Sequence, residues 1–389
     1  MKALQLDAEW RPRAGYYPSE RERRERRADN CNQVYFQPRL RLVDLPEPEP
    51  GPGEIVARVR ACGVCGSDAH LFEQDRDGYI ASADPAKLPV VLGHEWSGVV
   101  EAVGPGVQSL RPGDAVCGEV ALWCGQCAPC RAGAFGQCQN LDEIGFSVDG
   151  ALAEYVRTRP QYCWRIDALL QAYSDEARAF EAGALVEPTA VAYNALFVRA
   201  GGFRPGGAAA VFGAGPIGLV GIALARLAGA APVLAFETVP ERRALAARVG
   251  ADLVFDPLAL AREGRDAAEL IQEATDGAGL AIAVEAAGAS PRTFPVIERA
   301  MAVGGKIVQV GITAGQTPLT LVKLQAQGVN LYGSMGSSGA GLFPAVIQLM
   351  ASGRLDLTPI ITARFPLEQA DAALRRMAER RDGKVLVTP

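Results

Sequence analysis

Cys124, Cys127, Cys130 and Cys138 follow the spacing C-x2-C-x2-C-x7-C. Four thiolates this close can fill a tetrahedral Zn2+ shell with no open position, so a metal held there is structural. An iron–sulfur cluster uses the same donors, and scattered buried thiols are the bland alternative. A second group joins ACGVCGSDAH (61–70) to GHEWSG (93–98), setting Cys65 and His94 in Gly-rich turns among acids. A thiolate and an imidazole are two of the three protein ligands that a catalytic zinc needs beside its open position. Glu95 and Glu187 (LVEPTAVAYN) both offer the third. Glu187 is preferred as the metal neighbour, because it precedes Pro188 in a segment leading into the second half of the chain. Glu95 adjoins His94, and adjacent side chains seldom aim at one point unless the turn is tight; it is kept as a catalytic carboxylate.

A third constellation is VFGAGPIGL, which sets Gly213, Gly215 and Gly218 in G-x-G-x-x-G spacing, with Pro216 and Ile217 between the last two glycines. The first glycine permits a tight turn, the second admits a pyrophosphate to the backbone, and the third lets helix and strand pack closely. The phosphates then meet the free N–H groups at the helix N-terminus. Glu237 ends the next strand, 19 residues after Gly218, where an acid binds the ribose 2′-hydroxyl. An acid there repels a 2′-phosphate, so NAD is favoured over NADP. Arg242 and Arg243 lie near enough to blur that preference or to contact the adenosine side of NAD.

These residues need elements to position them. After about residue 190, apolar strands (AAAVFG, PVLAFE, LAIAVEAAG, KIVQVGI, NLYGSM) alternate with helical stretches such as PERRALAARVGA and SPRTFPVIERAMAVG. That alternation marks a parallel sheet covered on both faces. The first half shows short β-rich runs (IVARVRAC, WSGVVEAVG) separated by turn signals, an irregular β-rich half. The last 50 residues read as a long helix, a second helix and a closing strand, KVLVTP, and periodicity alone does not assign them to either half. Residues 18–29 (PSERERRERRAD) read as a solvated loop or short exposed helix with local ion pairs, or else as a lid or subunit contact.

A chain of 389 residues is comfortable for two domains, and 49% apolar with 21% charged residues excludes disorder and coiled coil. Lys and Arg (39) against Asp and Glu (44) leave a net charge of −5, so no nucleic-acid partner is expected. Nine cysteines, an odd number in short clusters, suggest metal binding in a reducing compartment, hence the cytoplasm. MKALQLDAEW has no apolar core of signal-peptide length, so no export signal is assigned. Pro205–Ala225 is uncharged over 21 residues, but its six glycines suit a strand–turn–helix rather than a membrane span.

In order along nearly the whole chain, GVCGSDAH, GHEWSGVVEAVG, RPGDAV, the four-cysteine loop, EPTAVAYNAL, VFGAGPIGL and DGKVLVTP resemble the zinc-dependent medium-chain dehydrogenase/reductase family, the alcohol and sorbitol dehydrogenases. The resemblance implies a two-domain α/β fold. A GroES-like, β-rich catalytic domain would take residues 1–189 and 337–389, with a zinc lobe near 117–140, and a Rossmann domain (190–336) would be inserted. It implies two zincs per chain: a catalytic one on Cys65 and His94 and a structural one on the four cysteines. It also implies a proton relay through Ser67 and His70. Animal alcohol dehydrogenases have cysteine as the third ligand where this chain has Glu187; in that respect it resembles the polyol branch. The N-terminal insertion, LWCGQCAPC, NLDEIGFSVDGALAEYV and ALVEPTAVAYNALFVRAGGFRPG are similar to cyclitol dehydrogenases, the scyllo-inosose dehydrogenases among them. The expected substrate is therefore a secondary alcohol on a polyhydroxylated ring, an inositol, inosose or aminocyclitol, with Trp96 and Trp123 as surfaces for its C–H face. Linear polyol, sorbitol- or threonine-type dehydrogenases are the nearest alternatives, followed by a zinc-free enone reductase and a non-enzymatic dinucleotide-binding sensor. A homodimer or homotetramer is expected from the family.

Overall fold

The computed structural model describes residues 1–313 and 315–389. Two sheets dominate it. In the first, strands run in the order Cys163–Arg165, Ala115–Gly118, Glu95–Val103, Ile55–Val64, Lys384–Thr388 and Ile361–Pro366, with Tyr155–Thr158 also pairing onto Ile55–Val64. The last two strands of the chain thus complete the sheet begun by its first half. Ile55–Val64 shows why the sheet forms. Val59 is buried while Arg58 and Arg60 point outward to Glu101 and Glu176, the alternation of a half-covered strand. From Ala61 to Val64 both faces are buried, because Lys384–Thr388 and helix Glu176–Ala184 close over that end. A smaller sheet joins Lys2–Trp10 to Tyr35–Asp44 and Val90–Val91.

The second sheet is wholly parallel, in the order Leu253–Phe255, Val233–Phe236, Ala208–Phe212, Leu280–Glu285, Met301–Gln309, Asn330–Gly333. Ala208–Phe212 and Val233–Phe236 are buried throughout, as strands covered on both faces must be. The strand order reverses between Ala208–Phe212 and Leu280–Glu285, where a doubly wound fold opens its ligand crevice. Pro205–Ala225 contains strand Ala208–Phe212 and most of helix Pro216–Leu227, and among the described residues no helix is long and apolar enough to cross a membrane. The helix expected in SPRTFPVIERAMAVG stops at Ala300; Met301 already pairs with Leu280 in the sheet. Residues 18–29 hold a short helix, Glu20–Glu25, with Ser19 and Glu22 forming a capping box.

The two halves are tied together close to the chain's end. Asp382 accepts Arg376 Nε (2.9 Å) and Nη2 (3.0 Å) and the Thr362 hydroxyl (2.7 Å), while its backbone carbonyl accepts Nε of Arg242 from the parallel-sheet half (3.0 Å). Burial alone would raise the Asp382 carboxyl, but the Arg376 fork and the Thr362 hydroxyl outweigh it and hold it below the usual aspartate value. A lowered folded-state pKa adds stability above the unfolded value of about 4, and that stability is lost as pH falls through the folded value. Arg376→Ala should therefore cost about 1–2 kcal/mol at pH 7, half of Arg376 being exposed to solvent. The gap from the parent should narrow as pH approaches 3.5. Thermal melts across that range check it; a pH-independent gap would assign the loss to packing instead.

Candidate active site

Three neighbouring strands end together, and their ends carry the first metal candidates. Gly63 pairs with Glu95 and Val64 with Val385, so Cys65, Glu95 and Lys384 converge at one edge of the sheet. One sulfur, nitrogen or oxygen from each of Cys65, His94 and Glu95 lies within 4.8 Å of the others. A thiolate, an imidazole and a carboxylate at that separation suit a divalent zinc. Gly63 makes room for them, since a Cβ there would stand 2.1 Å from Glu95 Oε2. His94 is oriented by Asp68, whose Oδ1 lies 3.5 Å from Nδ1 and whose Oδ2 accepts the Cys65 N–H at 2.8 Å. Burial works against an imidazolium, but Asp68 and Cys65 outweigh it and raise His94's affinity for a proton. A cation bound there displaces that proton, so its affinity falls with pH.

Glu95 is also one half of a buried ion pair. Lys384 Nζ lies 2.7 and 2.6 Å from its two oxygens and 3.3 Å from the Val64 carbonyl, and both side chains are 1% exposed. Burial pulls the ammonium pKa down, and Glu95 with Cys65 more than restores it. Glu187 lies outside the ligand triangle, buried at the start of helix Val186–Tyr193. Its Oε1 accepts the Ser337 hydroxyl at 2.8 Å. Burial raises its carboxyl to about 7, with Glu95 adding to the rise and the charges of His94 and Lys384 and the Ser337 bond opposing it. Ser67 and His70 share the short helix Gly66–Phe72, one turn apart, and His70 Nε2 lies 3.4 Å from Arg380 Nη2.

The four lobe cysteines also cluster within 4.8 Å of one another. Backbone N–H groups already point at them: Gln126 N at Cys124 Sγ (3.5 Å), and Cys124 N (3.3 Å) and Asn140 N (3.4 Å) at Cys138 Sγ. The backbone bonds from Gln126 and Cys127 lower the Cys124 thiol to about 6. Donors aimed at sulfur favour thiolates, the state a zinc ligand needs.

At the Gly-rich turn, Gly213 has φ +92° and a Cβ there would meet Ala287 at 2.8 Å; at Gly218 it would meet the Gly213 carbonyl at 1.8 Å. Only glycine fits either position. Glu237 Oε2 accepts Ala214 N (2.7 Å) and Oε1 accepts Val239 N (2.8 Å), which draws the carboxylate over the turn. The two arginines diverge. Arg243 bonds the carbonyls of Glu237 and Thr238, whereas Arg242 runs past Gly215 to Asp382, its Nη1 3.7 Å from where a Gly215 Cβ would stand. Pro216 and Ile217 open helix Pro216–Leu227.

Trp96 requires a correction. Its indole is fully buried against Gly118, where a Cβ would be 2.4 Å from the ring, so it is a core residue and offers a ligand no surface. Trp123 stacks on Phe135 at 4.3 Å and meets Tyr162 edge-on. Sequence reasoning missed Asp68, Lys384 and Ser337. Lys384 did leave a signal, as the one charge within an otherwise apolar closing strand, and Asp68 sits three residues after Cys65; nothing local marks Ser337.

Residues 51–168 match the alcohol dehydrogenase GroES-like domain and residues 216–352 the zinc-binding dehydrogenase domain. The chain is 39% identical to scyllo-inosose 3-dehydrogenase of Thermotoga maritima, over 97% of this chain and 96% of that one. It is 32% identical to L-threonine 3-dehydrogenase of Pyrococcus horikoshii, over 89% and 94%. Among solved structures, one assigned as an alcohol dehydrogenase of Thermotoga maritima superposes with a TM-score of 0.95 at 38% identity, both chains fully covered. A zinc-binding dehydrogenase of Sinorhizobium meliloti, solved with NADP, gives 0.76 at 26% identity with both chains again fully covered. The two domain matches and the full-length relative agree with the two-sheet fold: the chain belongs to the zinc-binding medium-chain dehydrogenase/reductase family and is an oxidoreductase of the alcohol and polyol dehydrogenase type.

Proposed function

We propose that the protein is an NAD-dependent dehydrogenase of a secondary alcohol on a polyhydroxylated ring, of the inositol, inosose or aminocyclitol class, with two zincs per chain. The observation that carries the substrate class is the second buried carboxylate. Beside the ligand triangle, Glu187 spends Oε1 on Ser337, and among the described residues no protein donor reaches Oε2. A site for simple aliphatic alcohols needs an apolar sleeve; a buried acceptor instead favours a ligand that brings further hydroxyls. The full-length likeness to a scyllo-inosose dehydrogenase supports the ring.

Cys65, His94 and Glu95 would hold the catalytic zinc, a smaller change of geometry than recruiting Glu187 from outside the triangle. Bound there, the metal lowers the pKa of a coordinated hydroxyl. The rest is work for the chain's own residues. Asp68 fixes the His94 ring, Lys384 offsets the charge of Glu95, and Glu187 accepts a neighbouring hydroxyl. A bound nicotinamide would supply the hydride acceptor for the reacting carbon, and Ser67 and His70 would carry the hydroxyl proton away, so that alcohol and NAD+ would become ketone, NADH and a proton. A single imidazole at the exit of such a path suits transfer near neutral pH. Gly213, Gly215, Pro216, Ile217 and Gly218 would receive the pyrophosphate, with Arg242 beside it and Glu237 on the adenosine ribose. We take residues 1–189 and 337–389 as the catalytic domain and 190–336 as the inserted one, a reading supported by the membership of the two sheets. The cysteine set fits a cytoplasmic protein, and the exposed edge strand Asn330–Gly333 offers a face for a homodimer or homotetramer.

A panel of inositols, aminocyclitols, linear polyols, threonine and simple alcohols, read by NAD reduction, tests the substrate. Ring polyols should exceed cyclohexanol in kcat/KM by a large factor, about 10⁴ in favourable cases. Equal turnover of cyclohexanol would refute the ring assignment and leave the dehydrogenase standing. Metal analysis tests the ligands. Glu187→Gln should keep two zincs per chain, while Glu95→Gln with Lys384→Met, which strands no buried ammonium, should keep one. The reverse pattern would make Glu187 the ligand. Glu237→Ala should relax the preference for NAD over NADP, and an unchanged ratio would remove Glu237 from the ribose site.

A further inference from the structure

The charged N-terminal insertion reaches the active site. It lies ahead of residue 51, where the match to the GroES-like domain begins. It is built rather than loose: Glu22, 2% exposed, accepts the Ser19 N–H (2.7 Å), the Asp29 N–H (3.0 Å) and the Tyr16 hydroxyl (2.9 Å). Beyond this hub, Arg27 leaves the insertion altogether. Its Nη1 donates to Asp142 Oδ1 (2.7 Å) and its Nη2 to the Leu141 carbonyl (2.5 Å). Asp142 also accepts the Ser147 hydroxyl (2.9 Å), and that hydroxyl accepts the Glu143 N–H (2.9 Å). Arg27 therefore grips both the start of the 141–147 segment and, through Ser147, its far end.

That segment lies on the turn bearing His94. The Phe146 ring is 5.2 Å from the His94 ring, and a Cβ on Gly145 would stand 3.0 Å from the Gly93 nitrogen. Between the two anchors sits Glu143, half-buried and paired through its backbone with Ala121. Among the described residues no donor reaches its carboxylate, although Ser147, Arg27 and the backbone satisfy everything around it. His94, Asp84, Arg27 and Asp142 are the charges it feels, and burial raises its carboxyl above the usual glutamate value. A half-buried carboxylate beside the His94 turn that meets no protein donor has its acceptor capacity left for a ligand.

We propose that Glu143 is a specificity-determining residue that accepts the non-reacting hydroxyls of the substrate, and that Arg27 is a positioning residue that holds it there from the insertion. The inference rests on the polyol reading of the site. It makes the insertion a wall of the substrate site rather than a solvated appendage.

The test uses the zinc- and NAD-loaded enzyme, with the best polyhydroxylated substrate of the panel set against cyclohexanol. Glu143→Leu should lower kcat/KM for the polyol by about 10- to 100-fold, mainly through KM, and leave cyclohexanol within about threefold. The polyol's dissociation constant from the enzyme–NADH complex, read by cofactor fluorescence, should rise by the same factor, with zinc content unchanged. Should Glu143→Leu fail to fold, Glu143→Gln should show a smaller loss of the same selectivity. Arg27→Ala should cost the polyol about tenfold, Arg27→Lys should recover part of it, and Arg27→Ala should add nothing in the Glu143→Leu background. Equal losses on both substrates, no loss, or additive losses would overturn the proposal. If a linear polyol proves best, the ring assignment fails while the selective loss on that substrate upholds Glu143. If ring polyols win but the loss is unselective, Glu143 alone falls.

Discussion

The ion pair between Glu95 and Lys384 is the constraint on which the rest of the catalytic half depends. Two charges, each 1% exposed, survive there only because they face each other with both carboxylate oxygens engaged. Removing one partner of such a pair typically costs about 3–5 kcal/mol, so the strand carrying Lys384 must lie beside the strand carrying Gly63, which on its other side pairs with the strand of Glu95. That requirement brings the end of the chain into the sheet of its beginning. The same pair bears on the candidate metal site, since Glu95 lies with Cys65 and His94 and has part of its charge already offset.

The dinucleotide half enters through the same stretch. Arg242 spans from the Gly-rich turn to the backbone carbonyl of Asp382, two residues ahead of Lys384, and Arg376 and Thr362 hold the Asp382 side chain. The turn itself is over-determined: Gly213 and Gly218 leave no room for a side chain, and Glu237 holds the N–H groups of Ala214 and Val239.

What was legible in the sequence was local. The four lobe cysteines fall within one short loop, so their spacing alone carries their clustering, and the glycine turn sits between a buried strand and its helix. The parallel strands announced themselves by continuous apolar runs. Glu95, the ion-pair partner of Lys384, by contrast, lies 289 residues away, and no window of sequence contains both. Trp96 was misread for a related reason: its neighbour Gly118 comes from the next strand, and the missing Cβ that lets the indole sink into the core is visible only once those strands pair. Arg27 belongs with them. In a run of alternating charges nothing marks the one guanidinium that turns inward.

Charge also orders the surroundings of the site. Cys65, Asp68, Glu95, Glu187 and Glu143 crowd round His94, with Lys384 buried among them and Arg27 on the far side of Glu143. Such a field suits a divalent cation, which gains from every carboxylate and thiolate near it. It disfavours a substrate bearing a phosphate or carboxylate, which would add like charge in a partly desolvated space where screening is weak. A neutral polyol meets neither penalty: each hydroxyl donates to an acceptor and brings no charge. Burial raises both the Glu187 and the Glu143 carboxyl above the ordinary glutamate value, and in either protonation state lone pairs remain for a hydroxyl donor. The arrangement is therefore consistent with a metal-dependent reaction on a hydroxyl-rich molecule that carries no phosphate.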